Sequence, residues 1–308
     1  MDSVLVKTNL PNHLYSGKVR DTYFINDKYM IMVSTDRISA FDVVMNEAVP
    51  GKGEILNSMS TFWLEKTKHI IPNHFVGNID DVINTKDVDM NLFKNHISQD
   101  IKSRSMIVKK AKRLDIECIV RGYIAGSAWS EYKNNNTIND KLFEKKLSPA
   151  EKFDYPIFTP STKAETGHDV PLSEKDGKNL VGHEMYNFLE KKSIEIYNFA
   201  HDLSKEKGMI LVDSKFEFGI LDDEVILIDE LLTPDSSRYW DKDDYVVGKF
   251  PPAFDKQFLR EWLLKSNWNL TYPPPKIPKK IINDTKKRYL ESFKRLTNIE
   301  NKSLEIGK

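Results

Sequence analysis

The chain contains a single cysteine, Cys118, so no disulfide can form within it, which fits a reducing compartment. Cys118 lies in the apolar run Glu117-Cys118-Ile119-Val120 and reads as a buried, inert thiol rather than a nucleophile. Net charge is lacking too. The 46 Lys and Arg balance the 46 Asp and Glu, so no global field calls for nucleic acid or an anionic membrane. Any anion site must be local. No apolar run approaches the length of a membrane span, and the start, Met1-Asp2-Ser3-Val4, lacks a charged region followed by an apolar one. These absences lead to the expectation of a soluble, cytoplasmic protein.

The common phosphate fingerprints are missing as well. There is no G-x-x-x-x-G-K-[ST] and no G-x-G-x-x-G, which excludes a P-loop and a Rossmann turn. The seven histidines show no metal spacing. His183-Glu184 is not followed by the second histidine of H-E-x-x-H, and only His168-Asp169, closing a polar loop, stands out.

What is present is length for about two domains, at 308 residues. Strands are expected over 19–25 and 29–34 around Asn26-Asp27-Lys28, and a strand pair over 105–110 and 116–121. Ile55, Met59, Phe62 or Trp63, and Ile70 recur at helical spacing, and Pro72 ends the run. Residues 80–99 read as polar and irregular, and 122–175 as loop-heavy. Further helices are expected over 181–207, stopped by Gly208, and around 254–264 and 281–296, with Pro273-Pro274-Pro275 between the last two. A division falls near residue 120.

The most informative segment spans 210–230. It reads as a hairpin in which Asp213, Lys215 and Glu217 share one face, while Val212, Phe216 and Phe218 share the other. With a turn at Asp222-Asp223-Glu224, Glu217 falls directly across from Asp229. Like charges so placed destabilise a hairpin. A divalent cation between them removes the conflict, since Mg2+ is held by one or two carboxylates plus substrate phosphates. The alternative is a surface hairpin with solvated charges.

Four other clusters carry chemistry, each with a plainer reading. Ser16-Gly17-Lys18-Val19-Arg20 puts a glycine before two basic residues on one strand face, which suits a phosphate or an ordinary hairpin. The polar run from Ser34 to Asp42 is a ligand loop or a turn capped by Asp36 or Ser39. Arg121 with Gly122, Gly126 and Ser127 forms an anion nest, compatible with a helix start capped by Ser127. Asp235, Ser237 and Arg238 follow the hairpin closely, as part of a second phosphate site or as a structural Arg–Asp pair.

Taken together, Y-S-G-K-V-R-D, S-T-D-R-I-S-A-F-D, P-G-K-G-E-I-L-N, E-C-I-V-R-G-Y-I-A-G-S-A-W, T-P-S-T-K-A-E-T-G-H-D, V-D-S-K-F-E-F-G and D-E-L-L-T-P-D-S-S-R-Y-W resemble the SAICAR synthetase family. They stand in family order from about residue 15 to residue 240; residues 134–146 and those after 265 carry no such segment. The resemblance implies an α+β fold of mainly antiparallel sheets with flanking helices, and a nucleotide site akin to ATP-grasp enzymes and protein kinases. It implies a nucleotide-binding part at 1–120 and a substrate- and metal-binding part at 121–308, as a monomer or homodimer.

The implied reaction is ATP-dependent joining of L-aspartate to 5-amino-1-(5-phosphoribosyl)imidazole-4-carboxylate, abbreviated CAIR, through an acyl phosphate. By motif, Gly17, Lys18 and Arg20 would cover the ATP phosphates, and Glu117 with the backbone from Cys118 to Val120 would hold adenine. Glu217 and Asp229 would bind Mg2+. Arg121, Ser127, Ser237 and Arg238 would bind CAIR and its phosphate. Lys215, Asp213 and Asp235 would be catalytic, with Lys215 and Asp235 meeting the imidazole carboxylate and amine. Asp36, Arg37 and Ser161-Thr162-Lys163 would serve aspartate or the transferred phosphoryl group. Two competing readings are a kinase-like phosphotransferase and a regulatory nucleotide-binding module. The first leaves two separate phosphate sites unexplained, and intact Lys18, Lys215, Glu217 and Asp229 speak against the second.

Overall fold

The computed structural model describes residues 4–86, 88–163 and 170–299. Residues 164–169, which include His168 and Asp169, lie outside that description.

The first half builds a five-stranded antiparallel sheet. The Asn26 side-chain oxygen accepts from the amides of Lys28 and Tyr29, an Asx turn that fixes the hairpin of β2 (Arg20–Phe24) and β3 (Tyr29–Ser34). An exposed edge strand, β1 (His13–Ser16), precedes them. A separate hairpin, β4 (Arg37–Ala40) and β5 (Val43–Ala48), leads into helix α1 (Lys52–Thr67), which buries Ile55, Leu56, Met59, Trp63 and Leu64. Then come β6 (Phe75–Asn78), the short helices α2 (Ile79–Val82) and α3 (Gln99–Ser103), and β7 (Ser105–Lys109). The sheet order is β1-β2-β3-β7-β6. Residues 80–99 are irregular, as expected, yet Val82, Val88, Met90 and Phe93 pack on Ile31, Val33 and Ile107 as a small core.

The second sheet is six-stranded. It starts at β8 (Lys112–Tyr123), directly after the crossover Lys110-Ala111. The expected pairing of 105–110 with 116–121 is therefore corrected: β7 and β8 lie in different sheets, and both edges of β7 are already taken, by β3 and by β6. The chain continues through α4 (Gly126–Asn135), the two-residue strands β9 (Thr137–Ile138) and β10 (Lys141–Leu142), β11 (Lys152–Phe158) and β12 (Ser161–Thr162). Two helices, α5 (Glu174–Val181) and α6 (His183–Glu206), then meet at Gly182, whose φ is 88°; α6 is the helix expected over 181–207, and α5 was not expected. The sheet is completed by β13 (Met209–Leu221), β14 (Glu224–Ile228) and β15 (Ser237–Asp241), in the order β11-β8-β13-β14, with β12 on β8 and β15 on β13. Helices α7 (Gln257–Lys265) and α8 (Lys279–Thr297) close the described chain.

One large core joins both sheets to α1, α6 and α8. Phe216 and Phe218 of β13 are fully buried in it and contribute on the order of 1.5–3 kcal/mol each. Cys118 sits there too, and burial pushes its thiol far up, so it is inert as expected. No described helix is long and apolar enough to cross a membrane.

Candidate active site

A cleft of about 1450 Å³ runs between the two sheets. Gly17, Lys18 and Arg20 line it from the first sheet; Glu117, Arg121, Asp213, Lys215, Glu217 and Asp229 line it from the second.

The hairpin register differs from expectation by one residue. Leu221 pairs with Glu224 across Asp222-Asp223, whose φ values of 49° and 64° make a two-residue turn of the type that favours right-twisted hairpins. Glu217 therefore pairs with Ile228, not Asp229. Asp229 still reaches the cleft, because its own φ of 64° takes it out of the ladder.

The carboxylate that does face Glu217 is Glu117, paired with it across β8 and β13. Lysines resolve that like-charge conflict. Lys163 Nζ lies 2.8 Å from Glu117 Oε1 and 2.7 Å from Glu217 Oε1; Lys215 Nζ lies 2.7 and 2.9 Å from the same two atoms. Burial alone would raise the Glu217 pKa, but Lys215 and Lys163 outweigh it and hold the carboxyl well below its usual range. Burial likewise disfavours charge on Lys215, and Glu217 and Glu117 override it, so the ammonium stays charged.

A second cluster lies along the same strands. Arg121 and Arg238 both reach Asp213 Oδ2, at 3.4 and 3.3 Å. Arg121 also donates to Thr159 Oγ1 at 2.9 Å and Ser127 Oγ at 3.2 Å. Burial and the like charge of Arg238 outweigh Asp213 and lower the Arg121 pKa, whereas Asp213 and Asp255 outweigh burial at Arg238 and raise its pKa. Gly126, at the start of α4 with φ 56°, lets Arg238 approach: a Cβ there would meet Arg238 Nη2 at 2.7 Å. The helix N-cap is Ala125, so Ser127 is not the cap and its hydroxyl is left to Arg121. Ser237 bonds the Ser214 hydroxyl at 2.8 Å on the cleft floor.

Arg20 crosses from the first sheet to Asp229 (2.7 Å) and Glu230 (3.1 Å). Burial pushes the Asp229 carboxyl up to about 6; Arg20 opposes this, while Glu217 and Glu230 add to it. Lys18 pairs with Asp42. His74, buried beside Asp229, has its Nε2 without a hydrogen-bond partner among the described residues.

Asp235 is held from behind the cleft. Lys52 Nζ reaches its Oδ2 at 2.7 Å, the Tyr289 hydroxyl donates to Oδ1 at 2.6 Å, and Lys256 Nζ stands 3.7 Å away.

Several expected site residues are not brought to the cleft. Asp36 is fully buried, accepting from the amides of Leu5 and Gly53 and from Arg104, each at 2.9 Å. Arg37 bonds Asp21 Oδ1 at 2.8 Å and the carbonyls of Gly17 and Lys18, bracing that turn from outside. Ser161 pairs with Glu117 through the backbone, and Thr162 Oγ1 accepts from the Val170 amide. Val120 points into the core. The β8 backbone from Glu117 to Val120 is laddered to β13 on one side and to β11 and β12 on the other, which leaves it unavailable to an adenine. The cleft instead meets the crossover Lys109-Lys110-Ala111 with Met30 and Met32. Sequence reasoning missed that crossover, and also His74, Lys52 and Tyr289. Only Lys52, inside the P-G-K-G segment, carried a signal.

An interlocked lysine–carboxylate group beside a two-arginine cluster, in a cleft between the antiparallel sheets of an α+β fold, marks an enzyme that acts on small molecules. The sequence profile described as SAICAR synthetase matches residues 13–275. The phosphoribosylaminoimidazole-succinocarboxamide synthase of Maridesulfovibrio salexigens is 43% identical over 288 residues, covering 93% of this chain and 94% of that protein. The protein of the same name from Leptospira interrogans is 46% identical over 282 residues, covering 90% and 94%. The solved Saccharomyces cerevisiae SAICAR synthase complexed with SAICAR superposes with a TM-score of 0.85 at 36% identity, over 97% of this chain and 99% of that one. The chain belongs to the SAICAR synthetase family.

Proposed function

We propose that the protein is an ATP-dependent ligase of purine biosynthesis that joins the amine of L-aspartate to the carboxylate of CAIR, giving SAICAR, ADP and phosphate. The observation that carries this reading is the pair of adjacent clusters, Lys163–Lys215–Glu117–Glu217 and Arg121–Arg238–Asp213, on one cleft wall. A carboxylate is a poor electrophile. One of its oxygens therefore first attacks the γ-phosphorus of ATP, and the bond to ADP breaks. The aspartate amine then attacks the acyl carbon, loses a proton, and the acyl oxygen leaves with the phosphate. Such chemistry depends chiefly on positioning and charge neutralisation.

In this reading Arg121, Arg238, Ser127 and Ser237 hold the ribose phosphate of CAIR, with Asp213 spacing the two guanidiniums. Lys215 neutralises the reacting carboxylate, Asp235 accepts from the imidazole amine, and Lys163 faces the transferred phosphoryl group. Gly17, Lys18 and Arg20 cover the nucleotide phosphates, and adenine lies against Met30, Met32 and the crossover. The donor set fits Mg2+: Asp229 is short of positive charge although Arg20 touches it. No group of three or more His, Cys, Asp or Glu among the described residues could hold a metal alone, so the ion would need the nucleotide phosphates to complete its shell. Bound to Glu217 and Asp229, Mg2+ would offset charge on the nucleotide phosphates. The proposal keeps a nucleotide part at 1–120 and a substrate part at 121–308, with β8 at their junction, working in the cytoplasm as a monomer or homodimer.

ADP release measured with ATP, Mg2+ and CAIR, with and without aspartate, tests the reading. ADP formation indifferent to aspartate, as a kinase-like phosphotransferase would give, sinks it.

A further inference from the structure

Helix α8 lies beyond the matched family segment, which ends at residue 275, yet it delivers a side chain to Asp235 from behind the cleft. Tyr289 is fully buried among Ile55, Leu56 and Phe293 of the main core. A buried phenol needs a polar partner, and this one donates to Asp235 Oδ1 at 2.6 Å. Lys52, at the first turn of α1, takes Oδ2 at 2.7 Å, and its ammonium also sits 5.9 Å from the centre of the Tyr289 ring. The carboxylate is thus fixed by one donor on each oxygen. Neither Lys52 nor Tyr289 lines the cleft, whereas Asp235 and Lys256 do.

We propose that Tyr289 is a positioning residue for the ligase reaction: its hydroxyl fixes the rotamer and ionised state of Asp235, so that the carboxylate presents an acceptor to the amine of the imidazole substrate. This rests on the role given to Asp235 above. Burial would raise the Asp235 pKa, but Lys256, Lys52 and the Tyr289 hydroxyl bring it well below the usual carboxylate range. The charged groups around the pair are Lys52, Lys256, Glu230 and Asp255. Burial and Asp235 together keep the Tyr289 phenol protonated, and so a donor, across the working pH range.

Tyr289→Phe removes the hydroxyl and keeps the ring. The expected result is a fall in kcat/KM for CAIR of about 10- to 100-fold, the span of one hydrogen bond to a charged group, with KM for ATP unchanged. Leu290→Ala, which loosens the same helix in the core, is expected to lower Tm and leave kcat/KM for CAIR near wild type. Wild-type kinetics in Tyr289→Phe, an equal rise in its KM for ATP, or an equal fall in kcat/KM for CAIR in Leu290→Ala, overturns the inference. Wild-type protein runs in the same assay, so failure of the ligase reading shows there and failure of this inference only in the variants.

Discussion

Glu117 and Glu217 face each other in register across β8 and β13 and share the same two lysines. The proposed duties nevertheless differ: Glu217, whose charge adds to the raised pKa of Asp229, is the one assigned to the metal with it. In Glu217→Gln we expect turnover to fall about 100-fold or more, with a higher Mg2+ requirement. In Glu117→Gln the Mg2+ concentration for half-maximal rate should stay put, while breaking the buried group costs about 3 kcal/mol in urea unfolding. Identical Mg2+ titrations for both variants would rule out the metal assignment.

The two-arginine site makes a second prediction. Gly126→Ala places a methyl against Arg238 and strains a backbone at φ 56°. KM for CAIR should rise about tenfold through the displaced guanidinium, with KM for ATP near wild type. An unchanged KM for CAIR would mean that Arg238 does not hold the substrate.

The third prediction concerns pH. Burial raises the Asp21 pKa, but hydrogen bonds from Arg37, Thr8 and Ser16 outweigh it and bring the carboxyl below its ordinary 3.8. A depressed pKa adds stability that is fully present above the unfolded value and drains away as pH falls through the folded one. The stability gap between wild type and Asp21→Asn should therefore be about 3 kcal/mol and constant above roughly pH 5, then shrink below about pH 4. A gap that holds steady down to pH 3 would refute it.

Helix faces and strand alternation were legible because both follow short periods. The α1 face with Ile55, Met59 and Trp63, and the β13 alternation of Asp213, Lys215 and Glu217, stand as read. The hairpin register was not legible. Asp tolerates the left-handed region, so Asp222-Asp223 closes a two-residue turn where three residues had been expected. Polarity alone also misled at Asp36: a carboxylate that anchors Leu5, Gly53 and Arg104 looks, in sequence, like one that meets a ligand. Tyr289 falls within the helix expected around 281–296, and nothing local reveals that its hydroxyl reaches 54 positions back to Asp235.

The ties that complete the cleft are long in the chain. Arg20 meets Asp229 over 209 positions, and Lys52 meets Asp235 over 183. Contacts of that separation close slowly, since loop entropy is spent before they return anything. On the ribosome, the first sheet is made early and must wait for β13 and β14 to emerge, and Asp235 gains its last partner only when α8 is released. A nascent or clipped chain ending before Tyr289 would carry nearly every motif of the family and still leave one oxygen of Asp235 without its donor.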